Sequence, residues 1–216
     1  MNPTREKAHG LSSYTKDGGD MNSDNYEKTI ESFGYQAPAL AAAACEKYLP
    51  ADVRMDTVKW LDAGCGTGKS VAPMSAVGIS GSNSVGTDLM DDMLVHARAK
   101  DFYGQVLRQD LQDRLPFDDN AFNVVTCLGV LTYVDPSKGT LSEFCRVCAP
   151  GGLVILTHRT DTYEKWGAAM KGLMDAGVWE EVEGPVVKKD APKPYLPGNP
   201  AYGTETQMYL CVYRVK

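Results

Sequence analysis

The sequence predicts a doubly wound α/β domain: a mostly parallel sheet with an antiparallel C-terminal edge strand, preceded by N-terminal helices. Three observations carry that expectation. Short apolar runs alternate with helical stretches through the middle of the chain. Two of those runs, Phe122–Leu128 and Leu153–Thr157, are apolar almost throughout, as strands covered on both faces are. The turn Ala63-Gly-Cys-Gly-Thr-Gly-Lys-Ser70 directly follows the first run and opens a helix.

In chain order, residues 1–20 are polar and rich in Gly, Ser and charge, and read as a flexible tail. Two helices are expected over Asp24–Phe33, capped by Ser23 or Asp24, and over Pro38–Tyr48, where Pro suits the first turn. Thr57–Asp62 reads as the first strand, and a helix follows the glycine turn from Lys69. Val85–Asp88 ends a second strand. Asp91–Lys100 is a helix whose acidic start and basic end suit its dipole.

Gln105–Gln109 and Phe122–Leu128 are the third and fourth strands. Leu141–Cys148 is a helix stopped by Ala149-Pro-Gly-Gly152, Leu153–Thr157 the fifth strand, and Thr162–Ala176 a helix ended by Gly177. Val186–Lys189 and Met208–Val215 read as strands joined across a segment holding Pro192, Pro194, Pro197 and Pro200. A strand pair with no intervening helix predicts antiparallel pairing. Residues 21–216 form one expected domain: helices over 21–50, a binding core over 57–160, and a helix with strands over 161–216.

Composition narrows the function. The chain has 216 residues and a net charge of −6, with no Lys/Arg cluster, which argues against nucleic acid or an anionic membrane as partner. The longest apolar run, Ala37–Cys45, falls far short of the ~20 residues of a membrane helix. Met1–Asp20 has no apolar signal-peptide core, so a soluble cytoplasmic protein is expected. Cys145 and Cys148 form a CxxC late in a helix, without the further ligands a metal site needs, and are expected to be structural.

The glycine turn admits three readings. Gly68-Lys-Ser70 fits a phosphate-binding loop, but Asp62 would stand beside the phosphates and no later strand supplies a Mg²⁺-binding Asp. Gly64, Gly66 and Gly68 give G-x-G-x-G, one residue tighter than the dinucleotide fingerprint. The third reading takes in more of the chain. Asp62-Ala-Gly-Cys-Gly-Thr-Gly68, the strand-ending Asp88 of Val85-Gly-Thr-Asp-Leu89, Asp110-Leu111, Leu115-Pro-Phe-Asp-Asp-Asn-Ala-Phe-Asn123 and Cys148-Ala-Pro-Gly-Gly-Leu153 follow in order. This series resembles the class I S-adenosylmethionine-dependent methyltransferases over Val58–Thr157. Beyond it, Thr157-His-Arg-Thr160, Ala176-Gly-Val-Trp179 and Gly184-Pro-Val186 resemble the methyltransferase-like family named after the Williams–Beuren region.

The resemblance implies a Rossmann-like fold and S-adenosylmethionine as cofactor, leaving as S-adenosylhomocysteine. It implies that Gly64, Cys65 and Gly66 pack on the methionine part, and that Asp62 orders the loop or reaches the ammonium. Asp88 would take the ribose hydroxyls, Leu89 and Met93 wall the adenine, and Asp110 and Leu111 bond its edge. Leu128 and Gly129 would lie under the sulfonium, with Tyr26 closing the pocket. Each has a plainer reading: Asp88 as a helix cap, Leu89 and Met93 as core, Asp110 as a cap for Gln112. His158, at the end of the fifth strand, is the candidate base, and Tyr133 a candidate acceptor-site residue. Arg159 could receive an acidic substrate or form a salt bridge. The expected function is methyl transfer to a small molecule, without a metal; the alternatives are a non-catalytic binder of the same cofactor and a P-loop nucleotide binder.

Overall fold

A computed structural model describes residues 24–187, 192–199, 202 and 205–216. The expected tail, the Ser23 cap, Lys188, Lys189 and Pro200 lie outside them. The first strand, β1 (Trp60–Ala63), is buried at all four positions, which only a strand with neighbours on both sides and both faces satisfies. It pairs in parallel with β2 (Ser84–Asp88), with Asp62 opposite Gly86, and with β4 (Phe122–Cys127), with Asp62 opposite Thr126. β2 pairs in parallel with β3 (Gln105–Arg108), and β4 with β5 (Cys148–Arg159).

The C-terminal strand β8 (Gln207–Val215) runs antiparallel to β5 and, on its other side, to β6 (Trp179–Glu183); the short β7 (Lys193–Pro194) also pairs with β8. The order is β3-β2-β1-β4-β5-β8-β6. It reverses direction between β1 and β4, and a crevice opens beyond the carboxyl ends of the strands at that point.

Helices close both faces. After α1 (Tyr26–Ser32), α2 (Ala37–Tyr48) and α3 (Val71–Ala76) lie on one face; here Ala41, Ala44 and Met74 pack on Trp60, Val124, Leu153 and Ile155. On the other, α5 (Thr140–Val147) and α6 (Gly167–Asp175) bring Phe144, Val147 and Met170 against Leu61, Val125, Val154 and Leu156. α4 (Asp91–Ala99) packs beside β2 and β3. Odd positions of β5 thus face α2 and even positions face α5, as the two-residue period of a strand requires.

Three expectations change. Val186 and Val187 lie in a turn, and the strand sits earlier, at Trp179–Glu183. Glu181 Oε1 accepts both the Val186 and Val187 N–H, each at 2.8 Å, so those amides leave the ladder. β5 begins at Cys148, with Ala149-Pro-Gly-Gly152 as an irregularity between the Phe122–Cys148 and Val124–Leu153 pairs. Thr162–Ala176 is divided into a 3₁₀ turn, Tyr163–Trp166, and α6. All six cysteines are buried and free.

Candidate functional site

The crevice is a cleft of about 1060 Å³ of empty space, open solvent at its mouth included. The glycine turn forms one wall. Gly64, Gly66 and Gly68 have φ of +79°, +53° and +81°, a region open to glycine and costly for other residues. The Gly64 and Cys65 amides both donate to the Thr87 carbonyl, at 2.7 and 2.8 Å, which pins the turn to the end of β2. A Cβ on Gly64 would stand 2.4 Å from Val130 Cγ2, whereas one on Gly66 meets nothing within 4 Å and would project into open space.

Asp88 ends β2 at the floor. Its Oδ2 accepts the Gly66 N–H at 2.8 Å and its Oδ1 the Met90 N–H at 2.9 Å. Burial raises its pKa, and the Met90, Gly66 and Leu89 amides pull it back. The Gly66 and Met90 amides each take one lone-pair direction, with the Leu89 amide close by; a carboxylate accepts about four bonds in all, so some capacity remains for a ligand. Leu89, Met90 and Met93 continue the wall.

Beyond β3, Asp110 and Leu111 line the cleft, and Asp110 Oδ1 accepts the Gln112 N–H at 2.9 Å. The capping reading of Asp110 is therefore right as far as it goes. Beyond β4 come Leu128, Gly129 and Tyr133. Gly129 has φ of +75°, its N–H donates to Thr157 Oγ1 at 2.8 Å, and a Cβ there would stand 2.8 Å from the Tyr35 hydroxyl.

α1 covers the glycine turn from above, with Tyr26 facing the cleft. Glu27 Oε1 accepts the Thr67 hydroxyl at 2.6 Å and pairs with Lys100 at 2.9 Å. Glu31 pairs with Lys69 at 2.5 Å and Asp24 with His96 at 3.2 Å. The Glu27 pKa is lowered: the Thr67 bond and the Lys100 charge outweigh the desolvation that opposes them.

Twelve of the expected residues line this one cleft: Tyr26, Gly64, Cys65, Gly66, Asp88, Leu89, Met93, Asp110, Leu111, Leu128, Gly129 and Tyr133. Two do not. His158 is 1 % exposed and occupies an even position of β5, facing the 3₁₀ turn Tyr163–Trp166, whose Tyr163 and Trp166 rings pack around it at distances of 5.6 and 5.8 Å. Among the described residues neither ring nitrogen has a hydrogen-bond partner, and desolvation lowers the pKa to about 3. The base assignment is withdrawn: the ring points away from the cleft.

Asp62 lies beneath the turn, not in the cleft. It accepts the Tyr103 hydroxyl at 2.7 Å and the Thr126 hydroxyl at 2.9 Å, and Thr126 Oγ1 in turn accepts Trp60 Nε1–H at 2.8 Å. Burial raises its pKa to about 6 against the hydrogen bonds from Tyr103, Thr126 and Ser70. It orders the loop through Ser70; the role at a ligand ammonium is withdrawn.

Sequence reasoning missed Ile30, Tyr35, Lys69, Gln112 and Val130, which also line the cleft. Lys69 and Val130 flank motifs already in view. Tyr35 carries no local signal: its hydroxyl stands beside Gly129, far away in sequence.

Sheet order and crevice together define the fold as Rossmann-like, a mostly parallel sheet with an antiparallel edge. Residues 61–156 match the methyltransferase-domain family. The chain is 39% identical over 100 residues to demethylmenaquinone methyltransferase of Clavibacter sepedonicus, a match covering 44% of this chain and 39% of that one. The chain thus spans about two fifths of the length of that relative. Among solved structures it is similar to geranyl diphosphate C-methyltransferase from Streptomyces coelicolor A3(2), in complex with Mg²⁺, geranyl diphosphate and S-adenosyl-L-homocysteine (TM-score 0.62, 16% identity, 100% and 99% of the two chains covered). It is similar also to magnesium protoporphyrin IX methyltransferase from Synechocystis PCC 6803 with bound SAH (TM-score 0.62, 16% identity, 99% and 98% covered). No helix among the described residues is long and apolar enough to cross a membrane.

Proposed function

We propose that the protein is an S-adenosylmethionine-dependent methyltransferase acting on a small molecule. One observation carries the reading: the glycine turn, the Asp88 carboxylate, Asp110–Leu111 and the Leu128–Gly129 corner come from the ends of four different strands and meet in a single cleft. The residues fit the cofactor. A carboxylate with acceptor capacity left suits a diol, since charged acceptors make strong hydrogen bonds. Gly66 leaves open the space a Cβ would fill. A triphosphate would meet Asp88 as a like charge.

When bound, the cofactor supplies a methyl group already activated on a sulfonium. The protein then has to hold and align. Asp88 takes the ribose hydroxyls, Leu89 and Met93 flank the adenine, and Asp110 with the Leu111 amide reads its edge. The Gly64–Gly66 backbone packs on the methionine part. Gly129, fixed by Thr157, and Tyr133 border the space for the acceptor, while Tyr26 and α1 exclude water.

The stretches 157–160, 176–179 and 184–186 support a narrower kinship with the methyltransferase-like family named after the Williams–Beuren region. The acidic balance and the size of the cleft support a small, non-nucleic-acid acceptor and a cytoplasmic setting. The test is a pair of thermal-shift titrations, with S-adenosylhomocysteine and with Mg-ATP. A rise with the first alone is expected, growing as RT ln(1 + [L]/Kd); a rise with Mg-ATP alone overturns the reading. Incubation with methyl-labelled cofactor and a metabolite extract then separates an enzyme, which transfers label, from a binder, which does not.

A further inference from the structure

β2 lies between β1 and β3, so a residue placed just before β3 can reach a β1 carboxylate only by crossing β2. Tyr103, in the segment between α4 and β3, makes that crossing: its hydroxyl donates to Asp62 Oδ2 at 2.7 Å. The crossing point is Gly86, which stands opposite Asp62 in the β1–β2 register. A Cβ on Gly86 would lie 3.2 Å from Tyr103 Cε2 and 3.1 Å from Cys65 Sγ, so the ring occupies the room that this glycine leaves. The same ring reaches the glycine turn, where a Cβ on Gly68 would lie 3.4 Å from Cε2 and 3.1 Å from the Lys100 stem. Lys100 in turn pairs with Glu27 of α1.

Asp62 is 1 % exposed, and a buried carboxylate is costly unless donors surround it. Three hydroxyls do so. Thr126 accepts from Trp60 Nε1–H, which aims its own proton at Asp62, and Ser70 donates from the end of the turn. Those two belong to the sheet and the turn themselves. Tyr103 brings in a separate element, the chain leaving α4. The other titratable groups facing Asp62 are Asp88 at the end of β2, a like charge, and the Cys65 and Cys127 thiols, which burial keeps neutral. Tyr103 itself does not border the cleft.

We propose that Tyr103 is a positioning residue for the cofactor: by crossing Gly86 and donating to Asp62 it braces the glycine turn from beneath and ties it to α4. It touches no ligand and acts through the carboxylate. The word cofactor rests on the methyltransferase reading; the brace does not.

The test uses the full-length chain, by isothermal titration with S-adenosylhomocysteine between pH 5 and 8 and by amide hydrogen exchange without ligand. Wild-type affinity is expected to fall as pH drops through about 6, where Asp62 takes up a proton and can no longer accept from all three donors. Tyr103→Phe keeps the ring and removes one donor to the charged form. It is expected to weaken binding about 5-fold at pH 7.5 and to move the fall upward by about one pH unit. Asp62→Asn is expected to abolish the fall. In Tyr103→Phe the Gly64, Cys65 and Gly68 amides, bonded to the Thr87 and Cys65 carbonyls, are expected to exchange about 5-fold faster. Gly86→Ala, whose methyl crowds the ring, is expected to move the fall in the same direction, and it decides should Tyr103→Phe fail to fold. Uniformly weaker binding by Tyr103→Phe with the fall unmoved is what a ring that only fills space would give, and it overturns the brace. So does a flat wild-type profile, a fall that survives Asp62→Asn, or unchanged amide exchange. Failure of wild type to bind S-adenosylhomocysteine at every pH overturns the methyltransferase reading, and amide exchange then decides the brace by itself.

Discussion

The Gly66 amide donates to Asp88 Oδ2 at 2.8 Å, so the glycine turn and the acid that ends β2 are one mechanical unit. The same carboxylate holds Met90 at the start of α4 through its other oxygen. The glycine turn and the start of the wall at Met90 are thereby set by a single side chain.

Asp88→Ala removes both backbone partners and the carboxylate proposed to take the ribose hydroxyls. Charge-assisted hydrogen bonds contribute ~1.5–3 kcal/mol each, so S-adenosylhomocysteine affinity is expected to fall by about 100-fold. Isothermal titration checks this. Undiminished binding would remove the ribose assignment.

The glycines separate sterics from conformation. Both Gly64 and Gly66 have positive φ, but only at Gly64 would a Cβ collide, with Val130 Cγ2. Gly64→Ala is expected to lower stability by about 2–3 kcal/mol in urea unfolding, and Gly66→Ala by about 1 kcal/mol, the conformational term alone. Gly66→Ala should still weaken S-adenosylhomocysteine binding, because its methyl enters the cleft. Equal destabilisation by the two would show that Val130 yields freely.

Much of this was readable in the chain because local chemistry and tertiary position agree there. The parallel strands announce themselves by apolar runs, and Asp88, Asp110 and Gly129 are placed by where those strands stop. Facing is another matter. Positions 153–158 of β5 are buried on both sides, so no polar alternation tells Thr157, toward the cleft, from His158, away from it. Asp62 misleads for a related reason: a carboxylate closing a strand reads as exposed, while Tyr103, Thr126 and Ser70 converge on it from elements distant in sequence. Tyr35 and Arg159 acquire their surroundings only when the N-terminal segment and the region around Tyr195 fold over the sheet.

α1 is tied to the glycine turn and α4 by polar contacts: Glu27 to Thr67 and Lys100, Glu31 to Lys69, Asp24 to His96. Ion pairs at partly exposed positions weaken as salt rises. The double change Glu27→Gln with Glu31→Gln is expected to speed hydrogen exchange across 26–32 and to shorten the residence of S-adenosylhomocysteine several-fold, with global stability little altered. Higher ionic strength should shorten residence in wild type more than in this variant. Equal salt sensitivity of the two would show that these pairs do not hold the helix down.

His158 and Asp62 give opposite pH signatures, and this separates them from any catalytic role. His158 has a folded pKa of about 3, below its ordinary 6.5, so below about pH 6.5 the unfolded chain binds a proton that the folded chain refuses. Its effect is to reduce stability as pH falls, by roughly 1.4 kcal/mol per unit down to about pH 3. Asp62 has a folded pKa raised to about 6 from 3.8; its stabilising effect is complete below about pH 3.8 and lost as pH rises through 6. Between about pH 6 and 4 the two oppose each other. His158→Phe is therefore expected to gain on wild type as pH falls through this range, and Asp62→Asn to lose on it, in urea unfolding at several pH values. Because the His158 ring faces the 3₁₀ turn Tyr163–Trp166, His158→Phe is also expected to leave S-adenosylhomocysteine affinity unchanged. A wild-type and His158→Phe pair whose stabilities run parallel with pH would mean that the imidazole accepts a proton in the folded chain, and so meets water or a partner that the packing of Tyr163 and Trp166 excludes.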